Sequence, residues 1–127
     1  MNLHIEKTNC SPEVFFDTQN NKLSIDGVTF PENATAFFKP ILEWIDNFLL
    51  NMPFNMELNI NLTIPYMNTS SSKCIFKMLK KLQNSYKSGK NIKIFWYYHA
   101  DDDTELEYIE DIMEDLEIPI NTVSIEQ

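Results

Sequence analysis

The chain has 127 residues, 43% of them apolar and including nine Phe and two Trp, which is enough for one self-supporting hydrophobic core and excludes a disordered chain. Nineteen acidic residues stand against ten basic ones, all Lys, giving a formal net charge of −9. This balance argues against binding to nucleic-acid phosphates, and without Arg there is no bidentate fork for phosphate or carboxylate.

The first elements form a hairpin. Glu13–Asp17 and Lys22–Asp26 are short strand-like runs separated by the polar stretch Thr18-Gln19-Asn20-Asn21, and Gly27 follows as a turn residue. The termini are expected to be loose. From Asn33 to about Leu50, Phe37, Phe38, Ile41, Leu42, Ile45, Phe48 and Leu49 recur at helical spacing, with Asn33 as N-cap. Pro40 lies inside this pattern and predicts a kink or a short leading helix that restarts there. Met56–Ile64 alternates strictly, with Met56, Leu58, Ile60, Leu62 and Ile64 on one face, and reads as a strand ended by Pro65.

A second helix is predicted from Ser70 to about Ser88, with Ile75, Leu79, Leu82 and Tyr86 as its apolar stripe and Gly89 just past its end. Ile92–Tyr98 is rich in β-branched and aromatic residues and reads as a buried strand. Asp103–Leu116 is a third helix, with Ile109, Ile112, Met113 and Leu116 inward and Thr104 and Glu107 at capping-box spacing. Ile118–Ile125 supplies a last strand, with Pro119 near its start. The order ββαβαβαβ predicts an α/β domain spanning residues 1–127, with a mixed, mostly parallel sheet of about five strands and three main helices.

The stretch that carries chemistry is Asn68-Thr69-Ser70-Ser71-Ser72-Lys73, four consecutive hydroxyls between a strand end and a helix start. A helix N-terminus leaves four N–H groups without intrahelical partners. A side-chain oxygen can cap one of them, which is the ordinary role of Ser and Thr there. The same N–H groups and the helix dipole also favour a phosphate. Phosphorylation at this spot adds about −1.5 to −2 charges and three acceptor oxygens.

Together with Pro31-Glu32-Asn33-Ala34, Leu23-Ser24-Ile25-Asp26-Gly27, Phe95-Trp96-Tyr97-Tyr98 and the acidic run Asp101-Asp102-Asp103, this motif resembles the SiaC family of bacterial regulatory phosphoproteins over nearly the whole chain. The resemblance implies a fold similar to the STAS type of anti-sigma-factor antagonists. It implies Thr69 as the phosphorylation site, served by a dedicated serine/threonine kinase and a PP2C-like phosphatase. The unphosphorylated form is then expected to bind and activate a diguanylate cyclase and to promote biofilm formation. Asn68, Ser70, Ser71, Ser72, Lys73 and Lys77 are the expected partner contacts. Two departures flank the expected surfaces: Met67 where the family shows an aromatic residue, and His99 where an acid is expected.

Seven of the ten lysines lie between Lys73 and Lys93, and Lys73, Lys77, Lys80 and Lys81 share one face of the second helix. This stripe is either a solvated face or a docking surface beside Thr69. Asp101, Asp102, Asp103, Glu105 and Glu107 cluster where they complement the third helix dipole. Cys10 and Cys74 have no metal-ligand spacing, and Gly27 and Gly89 alone cannot build a nucleotide loop. No metal, cofactor or catalytic residue is therefore expected. The N-terminus shows no apolar leader and no run approaches spanning length, so the expected compartment is the cytoplasm, with no membrane partner. Two other readings remain: an anti-sigma-factor antagonist, and a small hydrolase using Ser70–Ser72 with His99.

Overall fold

The structure, a computed structural model, describes residues 2–126. The elements run β1 (Leu3–Ile5), β2 (Glu13–Asp17), β3 (Lys22–Asp26), α1 (Ala34–Asn51), β4 (Glu57–Thr63), α2 (Thr69–Lys87), β5 (Asn91–His99), α3 (Asp103–Met113) and β6 (Ile120–Ile125). They form one six-stranded sheet in the order β1-β2-β3-β4-β5-β6. The pairs β1·β2 and β2·β3 are antiparallel, and the pairs from β3 to β6 are parallel.

The three crossovers β3-α1-β4, β4-α2-β5 and β5-α3-β6 all step across the sheet in one direction. Right-handed crossovers then put all three helices on the same face. Side-chain alternation agrees. One row across the sheet is Leu3, Phe16, Leu23, Ile60, Ile94 and Ile120, and the next is Ile5, Val14, Ile25, Leu62, Trp96 and Thr122. The central members of these rows are buried against Phe38, Ile41 and Ile45 of α1, Ile75, Met78, Leu79 and Leu82 of α2, and Ile109 and Ile112 of α3. Between them lies the row His4, Phe15, Ser24, Asn61, Phe95 and Asn121, which points to the helix-free face. There the Tyr97 hydroxyl donates to Asn61 Oδ1 at 3.0 Å.

Several sequence expectations are corrected. The sheet has six strands, because Leu3–Ile5 pairs with β2 where a loose terminus was expected. A run of three residues carries too little periodicity to be read, and it becomes a strand because β2 offers it an edge. Pro40 does not break α1, which is continuous from Ala34 to Asn51. It stands on the exposed side, where it removes one hydrogen bond, and the burial of Phe38, Ile41, Ile45 and Leu49 on the other side outweighs that loss. Thr104 does not cap α3. Asp102 does, accepting from the Glu105 N–H at 3.1 Å. The helix stops at Met113, and the chain reaches β6 through a connection held by buried Gln83, whose Oε1 accepts from the N–H groups of Glu117 and Ile118.

Ile60 sits at the centre of the sheet with no exposed surface. Ile60→Ala is expected to destabilise the fold by about 2–5 kcal/mol through lost burial and a residual cavity. A urea titration followed by far-UV circular dichroism reads this as a lowered midpoint.

Candidate functional site

The carboxyl ends of β4 and β5 lead into the N-termini of α2 and α3, the place where open α/β sheets present their loops for binding. The entry to α2 is fixed by backbone hydrogen bonds from the segment after β3. The Gly27 N–H donates to Thr63 O at 2.8 Å, the Thr29 N–H to Tyr66 O at 2.8 Å, and the Asn68 N–H to Thr29 O at 3.1 Å. Thr29 is wholly buried, and its hydroxyl donates to Gly27 O at 3.0 Å. Gly27 has φ +136°, and a Cβ there would lie 3.2 Å from the Pro12 backbone, so glycine is required at this close approach.

The helix then starts at Thr69 with Asn68 as its N-cap, whose Oδ1 accepts from the Ser71 N–H at 2.9 Å. Because Asn68 supplies the cap, none of the four hydroxyls is needed for it. Thr69 and Ser70 are exposed, and Ser72 is half-buried. Ser71 is fully buried, with its hydroxyl unpartnered among the described residues. It lies inside, so it does not belong to the contact surface expected from the sequence. Met67 is also interior, 6% exposed, and is held by a bridge to Thr29. The neighbouring Tyr66 is the exposed residue, at 56%.

Two hollows flank this helix start and share Tyr108 of α3. One, of about 310 Å³, lies between the ends of β4 and β5 and the start of α3, with Tyr66, Met67, Trp96, Glu105 and Tyr108 among its walls. Glu105, one of the acidic cluster that complements the α3 dipole, is 6% exposed. Its Oε2 accepts from the His99 N–H at 3.2 Å and faces His99 Nδ1 at 3.0 Å. Its Oε1 and the Trp96 Nε1–H have no partner among the described residues. The spacing Glu105, Ile109, Ile112 puts this acid on the inward stripe, and that was the signal available in the sequence. His99 thus has an orienting acid, but no hydrogen bond joins it to Ser70, Ser71 or Ser72 among the described residues.

The second hollow is a cleft of about 390 Å³ between α2 and α3, lined by Ser72, Lys73, Phe76, Tyr108, Asp111, Ile112 and Asp115. A third hollow, about 500 Å³ and larger than these two, lies at the other end of the sheet, between Trp44, Phe48 and Met52 and the residues preceding β3 and β4. It touches none of the hydroxyls. Size and chemistry therefore disagree, and the hydroxyl chemistry places the candidate site at α2.

The lysines divide. Lys81 pairs with Asp46 of α1 at 3.0 Å, Lys87 with Glu117, and Lys93 with Glu57 at 3.3 Å. Lys73, Lys77 and Lys80 are exposed and form no ion pair among the described residues. The basic stripe is thus three free cations, with Lys81 tied to α1. Cys74 is buried on the inner side of α2. Burial pushes its thiol above the ordinary range, partly offset by Lys77.

These features define an α/β regulatory protein with an exposed hydroxyl at a helix N-terminus. The chain belongs to the SiaC family of regulatory phosphoproteins, whose family model matches residues 5–125. It is 31% identical over 117 residues to a protein of Pseudomonas aeruginosa, covering 92% of this chain and 91% of that one. The fold is similar to that of SiaC of Pseudomonas aeruginosa, with a TM-score of 0.89 at 28% identity, covering 98% of this chain and 99% of that one. It is likewise similar to a chain in the crystal structure of the diguanylate cyclase SiaD in complex with its activator SiaC from the same organism. There the TM-score is 0.91 at 28% identity, covering 97% of this chain and 99% of that one. No helix of the described residues is long and apolar enough to cross a membrane.

Asn68→Ala removes the cap of α2 and is expected to cost about 1 kcal/mol, seen as a lowered urea midpoint. Cys74 is expected to stay unreactive toward a thiol reagent in the native protein while half-buried Cys10 reacts. Because its folded pKa is raised, the neutral Cys74 thiol contributes stability that is full below the unfolded thiol pKa and is lost as pH rises through the folded one. Reaction of both thiols at one rate in native buffer would contradict this.

Proposed function

We propose that this chain is a non-enzymatic regulatory binding protein that acts in the cytoplasm, and that its partner is a diguanylate cyclase activated by the unphosphorylated form. A serine/threonine kinase transfers phosphate to Thr69, and a PP2C-like phosphatase removes it. The observation that carries this reading is the exposed Thr69 hydroxyl at the first position of α2, left free because Asn68 makes the cap. The likeness to the SiaC chain bound to SiaD supports the choice of partner.

The switch follows from local electrostatics. The Thr69 and Ser70 N–H groups precede the capped Ser71 N–H, so the first turn can hold an added anion without unfolding. Lys73, one turn on, shares the side of Thr69 and gives the phosphate a counter-charge. The cost falls on the partner. A surface that meets a neutral hydroxyl and a free lysine before modification meets net negative charge afterwards, and the complex loses affinity. Activation of the cyclase follows from binding and ceases with it.

Co-purification from the native host, read by mass spectrometry, is expected to return a diguanylate cyclase and to find phosphate on Thr69. Thr69→Ala is expected to keep the cyclase, and Thr69→Asp to lose it by about tenfold or more in a calorimetric titration. Equal affinity of the two variants would refute the switch.

A further inference from the structure

The three helices pack on one side of the sheet and leave its other face open. That face is not uniformly polar. Phe15 stands 38% exposed near its middle, and Phe95 and Tyr97 are half-buried there. A hollow of about 220 Å³ lies on the same face, with Asn61, Phe95 and Tyr97 among its walls. Toward the β2–β3 turn, one row of charges crosses the four central strands. Asp17 on β2 is in register with Lys22 on β3, Lys22 with Asn59 on β4, and Asn59 with Lys93 on β5. Glu57, one pleat below Asn59, leans into this row. Its carboxylate accepts from Asn59 Nδ2 at 3.2 Å and pairs with Lys93 Nζ at 3.3 Å. From β2 to β5 the row therefore reads acid, base, acid, base.

We propose that this face binds a second copy of the chain, in a two-fold dimer whose sheets stack face to face. An alternating row with an even number of members is complementary to itself. Turned about a two-fold axis that runs along the strands between β3 and β4, the row reverses its order and every charge meets its opposite. Asp17 then faces Lys93 of the second copy and Lys22 faces Glu57, and each contact occurs twice. The same rotation sets Phe15 over Phe95, so the exposed ring of each copy meets the hollow of the other. Glu13 and Asp26 fall opposite Tyr97 and Thr63, so no like charges are opposed. This match of the face with itself selects a second copy over any other occupant. Stacked sheets keep their strand directions within about 30° and interdigitate side chains across about 10 Å, which a two-fold along the strands allows. Six strands about 4.8 Å apart, each about six residues long at about 3.3 Å per residue, make a face of about 29 by 20 Å. Two such faces cover about 1,100 Å², where specific interfaces begin, so the dimer is a micromolar one. The net charge of −9 opposes this little, because the acids of α3 lie on the opposite layer. Thr69 and the helices point outward in both copies, so pairing leaves the switch residue exposed.

The test is sedimentation velocity on the full chain from micromolar to millimolar concentration, where the sedimentation coefficient is expected to rise from the monomer to the dimer value. Lys22→Glu and Glu57→Lys change exposed residues, and circular dichroism checks that each variant is folded. Each alters two contacts of a two-fold interface and is expected to weaken the dimer by about tenfold or more. The double variant Lys22→Glu with Glu57→Lys restores an opposite pair between copies and is expected to recover dimerisation to within about threefold of the parent chain. Within one copy the same double change places like charges side by side, so recovery can come only from contacts between copies. Phe15→Ser is expected to weaken the dimer as well, while Lys39→Glu on exposed α1 surface stays within about twofold. A chain that stays monomeric throughout overturns the proposal. So does a dimer that tolerates both single charge changes, or one that the double variant leaves as weak as the singles.

Discussion

The position of the α2 N-terminus depends on one short backbone clamp. Thr29 donates to Tyr66 O and accepts from the Asn68 N–H, so the connection after β4 is stitched to the connection after β3. Both bonds are shielded, because Thr29 has no exposed surface. Shielded backbone bonds hold direction well, since neither partner can exchange its bond for water without cost. Once residues 66–68 are fixed, the Asn68 side chain must turn inward to cap the Ser71 N–H, and Thr69 must face out. The clamp thus separates two roles that a run of hydroxyls could otherwise share. Asn68 does the capping, and Thr69 is left without an intramolecular duty.

Burial at the same end of the sheet also sorts the polar side chains. Ser71, Glu105 and Trp96 are taken inside, while Thr69, Ser70 and Lys73 stay out. Glu105 is the most costly of these. One of its oxygens is held by His99, and the other is buried without a partner among the described residues. A buried carboxylate tied to a half-buried histidine anchors the first turn of α3 against the end of β5. That anchoring keeps Tyr108, three residues further along, in the wall shared by the two hollows. The tertiary contacts that hold α3 in place and the surface that α3 presents therefore come from adjacent positions on one helix.

The charge of the molecule is segregated as well as large. A net charge of −9 would by itself describe a uniformly acidic surface. Instead the lysines gather on α2, and three of them remain free of ion pairs next to the acidic α3. Surface ion pairs contribute little to stability, so leaving these unpaired costs the fold little and keeps them available to a partner. A phosphate on Thr69, as proposed, would act on this small cationic zone and not on the average charge of the protein.

The sequence by itself determined the type and order of the main elements, since apolar spacing in Met56–Ile64, in Phe37–Leu49 and in Ile75–Leu82 reports helix or strand over a few turns or pleats. It also placed the four hydroxyls at a helix start, because Pro65 and the onset of the helical stripe bracket them closely. Only the tertiary structure decided what lay beyond local reach. Leu3–Ile5 is a strand because β2 has an open edge, and Asn68 rather than a hydroxyl is the cap because Thr29 fixes its backbone. Met67, Ser71 and Glu105 are interior because α2 and α3 close over the ends of β4 and β5. Each of these depends on residues far apart in the chain meeting in space, which periodicity and capping preferences, acting within about one helical turn, do not encode.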